Sequence, residues 1–189
     1  MAKKLSNSFK EGIEIRSSCV VWNIASNSLI LSRKNRDMSF YYLATGIIFS
    51  AFSFEAMMNH YAYMLFEDWD KEEKKLKPRE KKFKKILDEL KLSYYYKTND
   101  YSVIKECLKI RDEFAHGKTA FISRNLVQKS IVGDFNNNSN INKYLFDDVI
   151  NYNTLDTYLK TINALQDSIE INNPGLNQYP LNVSGDYLI

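Results

Sequence analysis

SFYYLATGIIFSAFSFEAMMNHYAYMLFE, residues 39–67, is the stretch whose reading decides the fold. Apolar side chains occur nearly all round its helical wheel, the pattern of a helix packed on several sides at the centre of a bundle. Its uncharged part, Met38 to Phe54, is seventeen residues long. A membrane span needs ~20 predominantly apolar residues, and extending this one carries the Glu55 carboxylate into the bilayer. The segment therefore reads as a buried core helix, and no membrane partner is expected. Gly46 inside it marks a close approach of another helix.

On the N-terminal side, Phe9, Gly12, Ile15, Cys19, Trp22, Ser26 and Leu29 recur at spacings of three or four. That stripe predicts a first helix over residues 7–32, ended by the charged turn at 33–37. On the other side, residues 71–85 hold nine basic and three acidic side chains. Pro78 fits the first turn of a helix there, and Phe83, Ile86, Leu87 and Leu90 supply its core stripe. The run reads either as a solvated helix face or as a patch facing a polyanion, with Lys81, Lys82 and Lys85 as its candidate contacts.

Asn99 or Asp100 is the expected cap of a further helix carrying Ile104, Cys107, Leu108 and Phe114, with Gly117 as its C′ residue. Residues 119–143 keep no period and contain a polar tract at 136–140, so they read as an irregular loop with a short hairpin around 121–132. Leu155, Tyr158, Leu159, Ile162, Leu165 and Ile169 mark a last helix, closed by Pro174-Gly175. The simplest architecture is one all-α domain over residues 1–172, an antiparallel bundle of about five helices, followed by an irregular tail at 173–189.

Composition agrees. The 189 residues are 44% hydrophobic and 26% charged, as in a single globular domain, and six Gly with three Pro are too few for the turns of an all-β fold. A net charge of +3 permits a polyanionic partner. Cys19 and Cys107 form no disulfide framework and read as small buried hydrophobes of a reducing compartment. The N-terminal segment has no apolar signal-peptide core, so a cytoplasmic location is expected. Two His and two Cys, far apart, leave no metal-ligand spacing, and no glycine-rich phosphate loop or GxSxG elbow occurs. Neither a metal nor a cofactor is expected.

The chemistry concentrates in Ile110-Arg111-Asp112-Glu113-Phe114-Ala115-His116-Gly117-Lys118. At ~100° per residue, Arg111 falls near the centre of the apolar stripe drawn by Ile104, Cys107, Leu108 and Phe114. A guanidinium keeps its charge, so at that position it needs an anion, a water-filled cleft or a subunit interface. His116 lies off the stripe at the helix end, one turn after Asp112, where that carboxylate and the helix dipole favour a protonated or oriented imidazole. Arg111 and His116 sit about 140° apart, so a relaxed helix end or two paired chains would bring an arginine and a histidine to one cleft. The plainer reading makes Arg111 a core arginine paired with Glu55 and His116 a cap on free carbonyls.

Arg111-Asp112-Glu113-Phe114-Ala115-His116 resembles the signature of the HEPN (higher eukaryotes and prokaryotes nucleotide-binding) superfamily: Arg, a polar residue, three or more others, then His at a helix end. Phe54-Glu55-Ala56-Met57-Met58-Asn59-His60 is similar to the Glu-Ala-x-x-Asn run of its central helix, and residues 81–87 to its lysine-led helix. The resemblance implies a HEPN-like bundle, usually a homodimer with the signature helices facing each other. It also implies a metal-independent endoribonuclease, acting as a toxin or in antiviral abortive infection, with an antitoxin or defence-system partner. By position, Arg111 would hold the scissile phosphate, Asp112 would take the polar role, and His116 would transfer protons. Glu55 and Asn59 would support them, and Lys118 would join the RNA contacts. The chain departs from the signature twice: the polar position, most often Asn, is Asp112, and the position of a regulatory Tyr in some members is Lys118. The alternative function is a non-catalytic module that binds a nucleotide or a partner protein.

Overall fold

The structure is a computed structural model that describes residues 17–116 and 149–176. A helix over Ser17–Lys34 (α1) turns back through residues 35–38 into the long central helix Ser39–Leu65 (α2). A short helix, Trp69–Glu73 (α3), leads to Arg79–Glu89 (α4), a 3-10 turn at Ser93–Lys97, and Asn99–His116 (α5). Tyr152–Asn172 (α6) completes the described bundle. All regular structure among these residues is helical, which establishes the all-α class.

α2 is the hub, with α1, α4, α5 and α6 all packing against it. By length and composition it is also long and apolar enough to cross a membrane. Its inner faces bury Ile47, Ala51, Phe54, Met57, Met58 and Tyr61 to 1% exposure or less. The predicted stripes of α4 and α6 are all buried, as are Ile104, Cys107 and Leu108 on α5, while Phe114 packs at the core margin. Gly46 is the predicted close approach: a Cβ there would lie 2.4 Å from Leu155 Cδ2 of α6 and 3.1 Å from Ser28 Cβ of α1.

Several details differ from expectation. Of the predicted α1 stripe Cys19 is buried, but Trp22 and Leu29 are only partly so, and the other buried residues of α1 are Ser18, Ala25, Ser28 and Ser32. Small residues win because the approach at Gly46 leaves no room for large ones. Their hydroxyls stay satisfied locally, Ser28 Oγ donating to Ile24 O at 2.7 Å and Ser32 Oγ to Leu29 O at 2.8 Å. Pro78 is the N-cap of α4 and not a residue of its first turn. Neither Asn99 nor Asp100 caps α5: the Thr98 hydroxyl accepts from the Tyr101 N–H at 3.3 Å, because Asn99 already belongs to the helix. α6 begins three residues before Leu155, capped by Asn151, whose Oδ1 accepts from the Thr154 N–H at 2.9 Å. α3 and the 3-10 turn, too short to show a period, were not anticipated. The expected loop and hairpin at 119–143, Gly117, Lys118, the residues before 17 and the tail beyond 176 lie outside the described residues.

Candidate functional site

The last two turns of α5 meet the outward edge of α2 and the start of α4. Arg111 keeps only 16% of its side chain exposed, and its Nη2 stands 2.6 Å from Glu55 Oε1. The guanidinium carbon lies 5.2 Å from the centre of the Phe52 ring, a cation–π contact on its other flank. So the guanidinium on the apolar stripe meets its anion on the central helix.

The pair is half of a larger cluster. Arg79, the first residue of α4, reaches Asp112 with both arms of its fork, Nη1–Oδ1 at 3.2 Å and Nη2–Oδ2 at 2.9 Å. Its Nη1 also lies 3.4 Å from Glu55 Oε1, and Arg111 Nε lies 3.4 Å from Asp112 Oδ1. Two guanidiniums and two carboxylates therefore alternate around a closed ring with formal charge zero. Arg111 is the least well served member. Its Nε and Nη2 are buried donors without an aligned hydrogen-bond acceptor, so its short contact to Glu55 is an ion pair with a misdirected N–H.

His116 is exposed at the end of α5, about 7.5 Å along the axis from Arg111. The expected Asp112–His116 pairing is not formed, because the bidentate fork of Arg79 holds the carboxylate. Asn59 sits one turn beyond Glu55 on the same face of α2, its Oδ1 buried without a hydrogen-bond donor. Of the lysines singled out, Lys82 and Lys85 are ion-paired with Glu73 and Glu72 of α3, and Lys85 also lies 4.8 Å from the Phe66 ring centre. Lys81 is exposed. The three do not converge with Arg111; the cation from the charge run that does is Arg79.

Beside the Arg79–Asp112 pair, a cleft of about 430 Å³ runs between α4 and α5, walled by Arg79, Phe83, Tyr101, Lys105, Leu108 and Asp112. No three of the described His, Cys, Asp and Glu residues converge as ligands for a metal ion. Cys107, one turn before Arg111, is 1% exposed, donates to Ile47 O at 3.7 Å and has its thiol pKa pushed far up by burial.

The outward face of α2 on which Glu55 stands also presents Tyr41, Phe52 and Tyr63, at 55%, 36% and 57% exposure. Compared with known protein families, with curated proteins and with solved structures, the chain matches none.

Proposed function

We propose that this chain is a HEPN-type endoribonuclease that works without a metal, as a homodimer, with Arg111 and His116 as its catalytic pair. The observation that carries the reading is the Arg111 guanidinium: a fixed positive charge on the apolar stripe of α5, held by Glu55 and Phe52, with 16% of its side chain still exposed on the helix that ends at His116. A guanidinium held in this way is a suitable partner for a phosphate oxygen. RNA brings its own nucleophile, the 2′-hydroxyl, so a histidine to move protons and an arginine to balance the phosphorane charge are sufficient. The 2′-oxygen attacks phosphorus as His116 takes its proton, the P–O5′ bond breaks, the 5′-oxygen leaves with a proton returned by the imidazole, and a 2′,3′-cyclic phosphate remains. Tyr41, Phe52 and Tyr63, exposed along the face of α2 that carries Glu55, support pairing of two copies with their Arg111–His116 helices facing each other, so that the arginine of one meets the histidine of the other. A role as a toxin or abortive-infection effector in the cytoplasm, with an antitoxin or defence partner, follows from this reading.

The test is cleavage of a labelled RNA by wild-type protein and by His116→Ala, with EDTA present. His116 is exposed and contributes little to packing, so the variant should fold normally and lose about 10²–10⁴-fold in rate. A folded His116→Ala protein that cuts RNA as fast as wild type would falsify the assignment. One observation favours a second reading: the zero formal charge of the ring already answers Arg111. In that case the domain binds a partner protein and cuts nothing.

A further inference from the structure

Among nine basic residues between 71 and 85, Arg79 is the one that enters the charge ring. Its two-armed contact with Asp112 needs a planar fork, which a lysine ammonium cannot supply. Without Arg79, the ring would hold two carboxylates and one guanidinium, a net charge of −1 around the group argued to receive an RNA phosphate. We propose that Arg79 is a positioning residue that sets the charge of the site: its fork cancels the Asp112 carboxylate, so that Arg111 and Glu55 balance each other and a phosphate approaches a neutral cluster. The proposal rests on the RNA-binding part of the reading above and deepens it.

The alternative is that Arg79 touches the phosphate itself, and charge arithmetic separates the two. Arg79→Gln makes the ring −1, Asp112→Asn makes it +1, and the double variant returns it to zero. If Arg79 acts by cancelling Asp112, the second substitution rescues the first. If Arg79 is itself a phosphate ligand, nothing rescues its loss.

The experiment measures the affinity of the four full-length proteins for a fluorescent single-stranded 2′-O-methyl RNA oligomer, which lacks the attacking hydroxyl. Melting temperatures establish that each is folded. Asp112→Asn should bind most tightly, wild type and the double variant should agree within about threefold, and Arg79→Gln should be weaker by about tenfold or more. A double variant as weak as Arg79→Gln, or Arg79→Gln binding like wild type, overturns the proposal. The unmodified oligomer, run alongside, reports on cleavage. The expected order of affinities without cleavage would support the charge role and sink the ribonuclease reading alone. Wild-type protein that neither binds nor cuts would sink both.

Discussion

Arg111 and Glu55 are joined across two helices by a contact of 2.6 Å, and each also touches a member of the other ion pair in the ring. Partial exposure tempers the strength of such a cluster, but it also makes its members interdependent. A double-mutant cycle on Glu55→Gln and Arg111→Met should therefore give a coupling of about 1–3 kcal/mol in urea unfolding. Additivity within about 0.5 kcal/mol would count against the contact. This pairing was legible beforehand because a charge on an apolar stripe must find its opposite, and Glu55 is the one carboxylate between Asp37 and Glu67. Arg79 was not legible. Nothing in the spacing of the charge run distinguishes it from its eight basic neighbours; the approach of α4 to α5 in three dimensions selects it. The Asp112–His116 spacing was right for contact, but a tertiary partner with better geometry took the carboxylate.

At the scale of elements, the seam between α1 and α2 is made by what is missing. Gly46 lets Leu155 and Ser28 close in from two sides, and Ser50 Oγ bonds back to Gly46 O at 2.8 Å, leaving the seam without a polar debt. Gly46→Val should lower stability by about 2 kcal/mol or more, since overpacking outweighs the ~0.3 kcal/mol that replacing glycine with valine returns to a helix. In a Leu155→Ala background, the added cost of the substitution should shrink; an unchanged cost would mean that Ser28 or the backbone sets the limit. A second element prediction concerns Lys91, which follows α4 with φ of 61° while the Leu92 N–H closes on Leu87 O at 2.8 Å. That left-handed position suits glycine, so Lys91→Gly should raise stability by up to about 1 kcal/mol, seen as a higher urea midpoint. Element identity was well marked in the sequence wherever large apolar residues repeat. The seam of α1 was misread because serines and alanines carry no hydropathy signal, though they allow the closest packing.

At the scale of the whole molecule, the outward face of α2 sets a charged ring among exposed aromatic residues, and the proposed homodimer would cover both. Light scattering should then give twice the 22.1 kDa chain mass at working concentration. A charge placed at that face, Tyr41→Glu, should shift the protein toward monomer while leaving its helical content in place. A wild-type monomer would remove the composite site and move the non-catalytic reading to first place. The fold class could be read from the chain alone. Pairing between copies cannot be, because an exposed aromatic residue has the same sequence signature whether water or a partner covers it.

The thiol of Cys107 offers a clock on this site. It is sealed at 1% exposure against Ile47 O, and burial pushes its pKa far above the usual thiol range, so an alkylating reagent meets almost no thiolate in the closed protein. Labelling must wait for the α2–α5 seam to open. In a Cys19→Ser background its rate becomes a measure of local opening beneath Arg111, one helical turn away. A ligand that engages Arg111 and draws the seam shut should slow that clock in proportion to its occupancy, whether or not any bond in the ligand is ever cut.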